Sequence, residues 1–280
     1  MALTLRRSGA PSLSYDLHAP DAKPIGAVLL THGYAEHRER YGQVISALTA
    51  RGLMVASYDL RGHGHSEGER GHILSFRDYV DDAYALGAEL AKDDRWKSAG
   101  LPVLLGHSLG GLISFHVALS DPSGARGVVL SSPFFGLALE VPAPKRLAGR
   151  LMSRVLPAFG LPSGLRGADV THDPVLARAY DEDPMLVKKA TARWFTEAMA
   201  AQQRALEDAP SMRLPLTIFH GGADKIASVD ATRRVFDRCG AATKRLEVLE
   251  GQYHEIFNEL ERDRWIGMAA DSIVEMAQRS

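Results

Sequence analysis

The stretch Val103-Leu104-Leu105-Gly106-His107-Ser108-Leu109-Gly110-Gly111 decides the fold. It begins with an apolar run, which is typical of a buried strand, and a helical pattern of apolar residues follows the glycines. Between them lies Gly-x-Ser-x-Gly, the motif of a sharp strand-to-helix turn that raises a serine hydroxyl above a sheet. Glycines on both sides supply the room that this turn needs. We therefore predict that Ser108 is a nucleophile; the alternative is a serine that only caps the helix.

Short apolar runs alternate with helical patterns along the rest of the chain. Each run ends in turn residues, which is typical of strands buried on both faces. The predicted buried strands are Ile25–Thr31, Leu53–Tyr58, Pro102–Leu105, Gly127–Leu130, Leu216–Phe219 and Arg245–Leu249. Apolar spacings of three and four predict helices at Phe76–Lys92 and Asp263–Gln278. Leu3–Arg7 and Leu13–His18 alternate polar and apolar residues and predict an antiparallel edge ribbon. Together these elements predict an α/β fold with a mostly parallel sheet flanked by helices.

One segment, at about residues 133–184, breaks this alternation with repeated prolines and many apolar residues. A long irregular insertion is typical of a lid or a binding loop. We therefore predict a single domain over residues 1–280 with a helical cap inserted there. Lys145–Leu156 predicts an amphipathic helix with Leu147 and Leu151 on its apolar face. Such a helix either rests on an anionic membrane surface or covers a pocket, and the sequence favours neither.

A serine hydroxyl needs a base to remove its proton, and the base needs an acid to orient it. In folds with this turn, the chain order is serine, acid, histidine. His254 follows the last predicted strand, so we predict that it is the base, and a surface-loop histidine is the alternative. Asp224 follows Leu216–Phe219 and is the predicted acid, with a turn-forming aspartate as the alternative. The other histidines after the serine are His116 in a helix, His172 in the insertion and His220, a predicted structural turn residue.

Two backbone N–H groups are needed to hold the oxyanion of an ester transition state. One comes from the residue after the nucleophile, here Leu109. The other comes from the loop after an early strand. His32-Gly33-Tyr34 is that loop, so we predict the N–H of Tyr34; an ordinary turn is the alternative.

Composition narrows the class of protein. The chain has 280 residues and a net charge of −1, which gives no reason to expect a nucleic-acid partner. A single cysteine, Cys239, excludes an internal disulfide and suits a reducing cytoplasm. The first ten residues lack an apolar run, so we predict no signal peptide and a cytoplasmic location, with peripheral membrane contact through the lid. The sequence does not fix the oligomeric state.

Several motifs now resemble those of a known family. His32-Gly33-Tyr34-Ala35-Glu36-His37 and Asp59-Leu60-Arg61-Gly62-His63-Gly64-His65-Ser66 are similar to signatures of monoacylglycerol lipases and related lysophospholipase-like serine hydrolases. Gly106–Gly111, Asp183-Pro184, Gly222-Ala223-Asp224 and Tyr253-His254-Glu255 follow in the same order. The resemblance covers almost the whole chain and is weakest across the insertion. It implies the α/β-hydrolase fold.

The resemblance also implies roles for three further residues. Glu36 and Arg40 are expected to shape the polar end of the pocket, which takes the glycerol head, and Tyr180 to reach the same region from the cap. Two positions depart from the mammalian lipases. Tyr34 stands where a small residue is common, and Phe257 stands where those enzymes can carry a second histidine.

These observations predict a serine ester hydrolase that releases a fatty acid from monoacylglycerols or similar lipid esters through an acyl-enzyme. The alternatives are a lysophospholipase, a broad carboxylesterase, a peptidase of the same fold and a non-catalytic lipid-binding module. The predicted chemistry needs no cofactor and no metal. Gly62–Gly68 does not match a dinucleotide-binding motif, and its histidines lack a zinc-binding helix pattern, so we expect a loop that supports the site.

Overall fold

An eight-stranded mixed sheet forms the centre of the protein, as seen in a computed structural model. The structure describes residues 2–139 and 143–279, with residues 143–146 described by backbone alone. In chain order the strands are β1 (Leu3–Arg7), β2 (Ala10–His18), β3 (Gly26–Thr31), β4 (Leu53–Tyr58), β5 (Pro102–His107), β6 (Gly127–Ser131), β7 (Gly160–Pro162), β8 (Lys189–Thr191), β9 (Leu216–Gly221) and β10 (Lys244–Leu249). The sheet order is β1-β2-β4-β3-β5-β6-β9-β10, and β7 pairs separately with β8.

Helices cover both faces of the sheet. In chain order they are α1 (Gly42–Thr49), α2 (Arg77–Leu90), α3 (Asp94–Ser98), α4 (Leu109–Ser120), α5 (Ala143–Val155), α6 (Gly167–Val170), α7 (Pro174–Glu182), α8 (Ala192–Asp208), α9 (Val229–Arg238) and α10 (Arg262–Gln278). The apolar side chains of α2, α4, α8 and α9 pack on one face, and those of α1 and α10 pack on the other. The predicted α/β fold is confirmed.

The inner strands are buried on both faces, as predicted. In β3, Ala27 and Leu29 face the core beneath α4, whereas Val28 and Leu30 face the core beneath α1 and α10. Burying a side chain of this size stabilises the fold by about 1.5–3 kcal/mol. The last strand, β10, differs because it lies at the sheet edge, where only Leu249 is buried. β1 and β2 form the predicted antiparallel ribbon and join the sheet through β4.

The parallel strands β4-β3-β5-β6-β9-β10 end at the same edge of the sheet. Thr31 pairs with Gly106, His107 pairs with Ser131, and Leu249 pairs with Gly221. The loops that follow these strands therefore meet above the sheet. They carry the predicted nucleophile, acid, base and oxyanion donors.

The cap segment, residues 132–191, lies between β6 and α8 and contains α5, β7, α6, α7 and β8. It extends past the predicted end at Pro184, because β8 pairs with β7 in antiparallel register. Thr191 ends β8, and its side chain accepts a hydrogen bond from the N–H of Trp194, which caps α8.

Helix α5 turns its larger apolar residues outward. Leu147, Leu151 and Val155 are 69%, 62% and 65% exposed. The side chains of Lys145 and Arg146, part of the predicted polar face, lie outside the described residues. The smaller or flexible residues Ala148 and Met152 line a cavity on the other side of the helix. The large apolar face of this helix therefore does not cover a pocket.

Candidate active site

The turn at Ser108 is strained in the way that the motif predicts. Its φ is 51° and its ψ is −115°, a region that residues with a side chain rarely adopt. A Cβ atom on Gly106 would lie 2.4 Å from the carbonyl oxygen of Gly110, and one on Gly110 would lie 2.1 Å from that of Thr31. Only glycine fits at both positions. The turn holds the Ser108 hydroxyl at the mouth of α4.

The structure brings the three predicted side chains together. His254 Nε2 lies 2.9 Å from Ser108 Oγ, and His254 Nδ1 lies 2.7 Å from Asp224 Oδ2. The other carboxylate oxygen, Oδ1, accepts hydrogen bonds from the N–H groups of Ile226 and Ala227 at 2.8 and 2.9 Å. All three side chains are buried. This is the geometry of a nucleophile, a general base and an orienting acid.

The electrostatics support these assignments. Burial raises the pKa of Asp224, but the charge of His254 and the neighbourhood of His220 outweigh this and hold the pKa below its usual range. Burial lowers the pKa of His254, but Asp224, Glu255 and Glu36 outweigh this and raise it. Asp224 is therefore ionised and stabilises the imidazolium that forms when His254 accepts a proton.

His107 is a second histidine beside the predicted base, and no sequence pattern singled it out. Its ring centroid lies 4.9 Å from that of His254, and its Nδ1 lies 3.1 Å from the carbonyl oxygen of Ser131. Burial, together with the nearby His254, lowers the pKa of His107 to about 4. His107 is thus neutral at pH 7.

The loop after β3 is held so that the N–H of Tyr34 is free. Leu60 N–H donates to His32 Nε2 at 2.9 Å, so His32 Nδ1 carries the proton and donates to the Gly33 carbonyl oxygen at 2.7 Å. Glu36 accepts the Gly33 N–H at 2.5 Å. In a trans peptide the C=O and the next N–H point in opposite directions, so fixing the Gly33 carbonyl also fixes the Tyr34 N–H. Within the described residues, the N–H groups of Tyr34 and Leu109 donate to no protein acceptor.

The Asp59–Gly68 loop supports this arrangement from behind. Asp59 accepts hydrogen bonds from the N–H groups of Arg38 and His65, both at 2.9 Å. The same loop supplies the Leu60 N–H that fixes His32. In the part of the chain that the structure describes, no three histidine, cysteine or acidic side chains gather as a metal site.

An apolar cavity of about 530 Å³ opens beside Ser108. Trp194 of α8 lines it, and Phe134, Met152, Phe159 and Leu165 line it from the cap segment. Glu36, Tyr180 and Glu255 form its polar end, near His254. The cavity suits a long apolar group that ends at a polar one.

The three residues that the resemblance implied for substrate binding lie together. Glu36 and Tyr180 line the cavity. Arg40 lies behind them, where its guanidinium donates to Glu36 Oε2 at 3.2 Å and to Glu255 Oε2 at 2.6 Å. Its Cζ atom also lies 4.9 Å from the centroid of the Tyr180 ring. Arg40 therefore links the two carboxylates and the cap residue.

A sequence model of the Hydrolase_4 family, described as serine aminopeptidase, S33, matches residues 22–261. The chain belongs to this family of α/β-hydrolases. It is 34% identical to a monoacylglycerol lipase of Mycolicibacterium smegmatis over 91% of this chain and 90% of that protein. It is 31% identical to phospholipase YtpA of Bacillus subtilis over 86% of this chain and 92% of that protein. The crystal structure of Paleococcus ferrophilus monoacylglycerol lipase matches with a TM-score of 0.86 and 28% identity, over 94% of this chain and 99% of that one.

This member of the Hydrolase_4 family uses Tyr34 to join core and cap. The ring centroid of Tyr34 lies 3.9 Å from that of Trp194, and its hydroxyl donates to the Lys189 carbonyl oxygen in β8. Burial raises the pKa of this hydroxyl, so it stays protonated as a donor. The large side chain thus contacts both α8 and the cap strand β8.

A buried carboxylate, Glu259, joins the cap to the loop that carries the predicted base. Its Oε1 accepts the Tyr253 N–H at 2.8 Å and lies 2.8 Å from His172 Nδ1. Its Oε2 accepts the His172 N–H at 3.1 Å. Sequence reasoning placed His172 in the insertion without a role and missed Glu259, since the two residues are 87 positions apart.

Among the described helices, none is long and apolar enough to cross a membrane.

Proposed function

We propose that this protein is a serine ester hydrolase that releases a fatty acid from monoacylglycerols. The observation that carries the proposal is the Ser108–His254–Asp224 chain of contacts, at 2.9 and 2.7 Å, which opens on an apolar cavity of about 530 Å³. The relatives named monoacylglycerol lipases support the choice of substrate.

In the first step, His254 takes the proton of Ser108 as the Ser108 oxygen attacks the ester carbonyl. Asp224 stabilises the resulting imidazolium. The N–H groups of Tyr34 and Leu109 hold the oxyanion, and each such donor contributes about 2.7–4 kcal/mol to the transition state. The imidazolium then protonates the leaving glycerol oxygen, and an acyl-Ser108 ester remains.

In the second step, His254 takes a proton from water, which attacks the acyl ester. The proton returns to Ser108 as the fatty acid leaves. The acyl chain lies in the apolar cavity, against residues such as Phe134 and Leu165. The glycerol head lies at the polar end formed by Glu36 and Tyr180, which Arg40 holds in place.

The cap favours a lipid-surface substrate. Leu147, Leu151 and Val155 form an exposed apolar face on α5, and Arg150 and Arg154 are exposed beside it. An amphipathic helix of this composition binds anionic lipid surfaces. We therefore propose that the enzyme rests on a membrane surface through α5, as a peripheral protein of the cytoplasm, where its buried thiol Cys239 stays reduced.

The carboxylates at the cavity are already paired within the protein, which argues against an aminopeptidase. An aminopeptidase must pair a carboxylate with the ammonium group of its substrate. Among the described residues, Glu36 and Glu255 are the carboxylates that line the cavity. Glu36 accepts from Gly33, Tyr41 and Arg40, and Glu255 accepts from Arg40 and Asn258. Arg40 already pairs with both carboxylates, so an ammonium group of a substrate would compete with Arg40 for them.

Fatty-acid release from monooleoylglycerol, dioleoylglycerol and lysophosphatidylcholine tests the proposal. Hydrolysis of an aminoacyl amide and of a short ester is measured beside them. We expect strong release from monooleoylglycerol, reduced at least about 10³-fold in Ser108→Ala. Ser123→Ala, an exposed serine, is the matched control and keeps full activity. Preference for the lysophospholipid would change the substrate to that of a lysophospholipase. Activity on short esters alone would indicate a carboxylesterase, and no hydrolysis at all would refute the enzyme in favour of a lipid-binding module.

Binding to anionic vesicles tests the membrane surface. We expect Leu147→Glu combined with Leu151→Glu to weaken vesicle binding and emulsion hydrolysis while leaving a soluble short ester unaffected. Val175→Glu is the matched control, because Val175 is 73% exposed but lies in α7. Equal binding by the double variant and the unmodified protein would refute the role of α5.

A further inference from the structure

His220 lies at the end of β9, fully buried, directly behind the predicted acid. Its Nε2 lies 3.2 Å from Asp224 Oδ2 and 3.3 Å from the Ala227 carbonyl oxygen. Its Nδ1 lies 3.0 Å from the hydroxyl oxygen of Thr232 in α9. The mechanism above assigns this side chain no role.

The partners of the ring fix its proton. Nε2 faces two oxygen acceptors, a carboxylate and a carbonyl, so it must carry the hydrogen in order to avoid repulsion between lone pairs. Nδ1 is then an acceptor in the neutral ring, and the Thr232 hydroxyl donates to it. His220 is therefore an N–H donor aimed between Asp224 and Ala227.

Both acceptors of this N–H belong to one turn. Asp224 Oδ1 accepts the N–H groups of Ile226 and Ala227, so residues 224–227 close on their own carboxylate. His220 holds the Ala227 carbonyl from the opposite side and places a positive N–H dipole next to Oδ2. Oδ2 is the same oxygen that meets His254 Nδ1 at 2.7 Å.

We propose that His220 is a positioning residue of the reaction, which holds the turn of residues 224–227 and the Oδ2 oxygen of Asp224 where His254 needs them. It is not among the residues that line the cavity, and it acts through Asp224. Oδ2 accepts from both the His220 N–H and the His254 imidazole. The His220 N–H therefore also weakens the electrostatic interaction between the carboxylate and the protonated His254 ring.

This role predicts two effects in His220→Leu, which removes the donor. The turn of residues 224–227 is held less firmly, so we expect kcat to fall about tenfold. That factor corresponds to about 1.4 kcal/mol of activation free energy. Asp224 loses a favourable dipole and stabilises the imidazolium more strongly, so the acid limb of the pH profile of kcat/KM moves up by about half a pH unit. KM for a small ester stays within about twofold, because His220 contacts no substrate.

The acid limb of the pH profile is assigned to His254, and the titratable and charged groups that face His254 are known. His254 is faced by Asp224, Glu255, Glu36 and the neutral His107. The ammonium of Lys225, next to Asp224 in the chain, lies 3.8 Å from the centroid of the Tyr253 ring. None of these groups is changed by the substitution.

The experiment measures kcat, KM and the pH profile with p-nitrophenyl butyrate, normalised to active sites titrated with a fluorophosphonate. His220→Gln keeps an N–H donor and is expected to restore most of kcat and the original acid limb. Thr232→Val removes the same buried Thr232–His220 hydrogen bond but keeps Nε2–H. It is expected to lower the melting temperature without moving the limb.

The inference rests on the proposed function only through the roles of Ser108, His254 and Asp224, and the ester is chosen to be independent of the lipid substrate. If Ser108→Ala still hydrolyses this ester, the proposed mechanism is wrong. If Ser108→Ala is inactive but His220→Leu keeps kcat per active site and the same acid limb, the role of His220 is wrong. A loss in His220→Leu that Thr232→Val reproduces in full would also overturn it, since the role would then be structural alone.

Discussion

Glu36→Gln tests how the oxyanion loop is held, because one carboxylate carries three hydrogen bonds there. Oε1 accepts the Gly33 N–H at 2.5 Å and the Tyr41 hydroxyl at 2.6 Å, and Oε2 accepts the Arg40 Nε–H at 3.2 Å. A glutamine can keep its oxygen toward Gly33 and Tyr41. Its NH₂ group then faces Arg40, donor against donor, and the charge of the carboxylate is lost.

The loss of folding stability expected in Glu36→Gln follows from the burial of the pair that it breaks. The side chains of Arg40 and Glu36 are 11% and 4% exposed, and Arg40 keeps only Glu255 as an ionic partner after the change. Losing one charge-assisted buried hydrogen bond costs about 2 kcal/mol. For a chain of 280 residues we expect the melting temperature to fall by about 3–4 °C. If the loop shifts enough to weaken the Tyr34 N–H contact, kcat on a short soluble ester falls about 10–100-fold.

Thermal unfolding at pH 7 and kcat on p-nitrophenyl butyrate measure both effects. Glu39→Gln is the matched control, because Glu39 lies three residues away and its side chain is 53% exposed. An exposed pair of this kind contributes little, so we expect its melting temperature and kcat to stay unchanged. Equal losses in the two variants, or no loss in Glu36→Gln, would refute the assignment of Glu36 as the support of the oxyanion loop.

Three further predictions concern the base, the cavity and acid stability. Because the pKa of His254 is raised above 6.5 and its neutral form is the base, kcat/KM on a soluble ester should fall on the acid side with a midpoint above pH 6.5; a midpoint below that value would contradict the role of its acidic neighbours. Gly149 in α5 lines the cavity with no atom within 4 Å of a Cβ position, so Gly149→Leu should lower the ratio of oleoyl to butyryl ester hydrolysis about tenfold; Gly87→Leu, at an equally open position in α2, is the control and should leave the ratio unchanged. Burial lowers the pKa of His63 to about 3, so between pH 6.5 and 3 the unfolded chain binds a proton at this residue and the folded chain does not. The free energy of unfolding therefore decreases as the pH falls through this range. His63→Gln should reduce this pH dependence, measured by urea titration, by about 1.4 kcal/mol per pH unit, and an unchanged slope would contradict the prediction.

The parts of the site that the sequence predicted are those that local rules determine. The turn at Ser108 needs small residues at 106 and 110, and the structure shows backbone atoms where their side chains would be. Asp224 and His254 could be predicted because parallel strands end at one edge, so loops that follow different strands must meet. The order of the strands in the sheet was not needed for either inference.

The parts that were missed depend on pairs that no local pattern reveals. His220 and Asp224 are four residues apart, but their contact depends on how the turn after β9 folds back. A histidine at the strand end four residues before the predicted acid is the one signal that could have found it. Glu259 and His172 lie on different elements, and only the path of the cap brings them together.

The contacts of the cap restrict where the cavity can widen. Residues 170–173 are bound to the loop after His254: Val170 accepts the Glu255 N–H at 2.8 Å, and the Thr171 hydroxyl donates to the Asn258 carbonyl oxygen at 2.7 Å. Moving this half of the cap would therefore displace the base. Among the described side chains of α5, Ser153 makes a hydrogen bond to α8 and not to the loop after His254, with its hydroxyl 2.8 Å from that of Thr196. The apolar face of α5 is exposed. Of these two parts of the cap, α5 is the one whose movement would leave Ser108 and His254 in contact, and it is the helix that we propose to rest on the lipid.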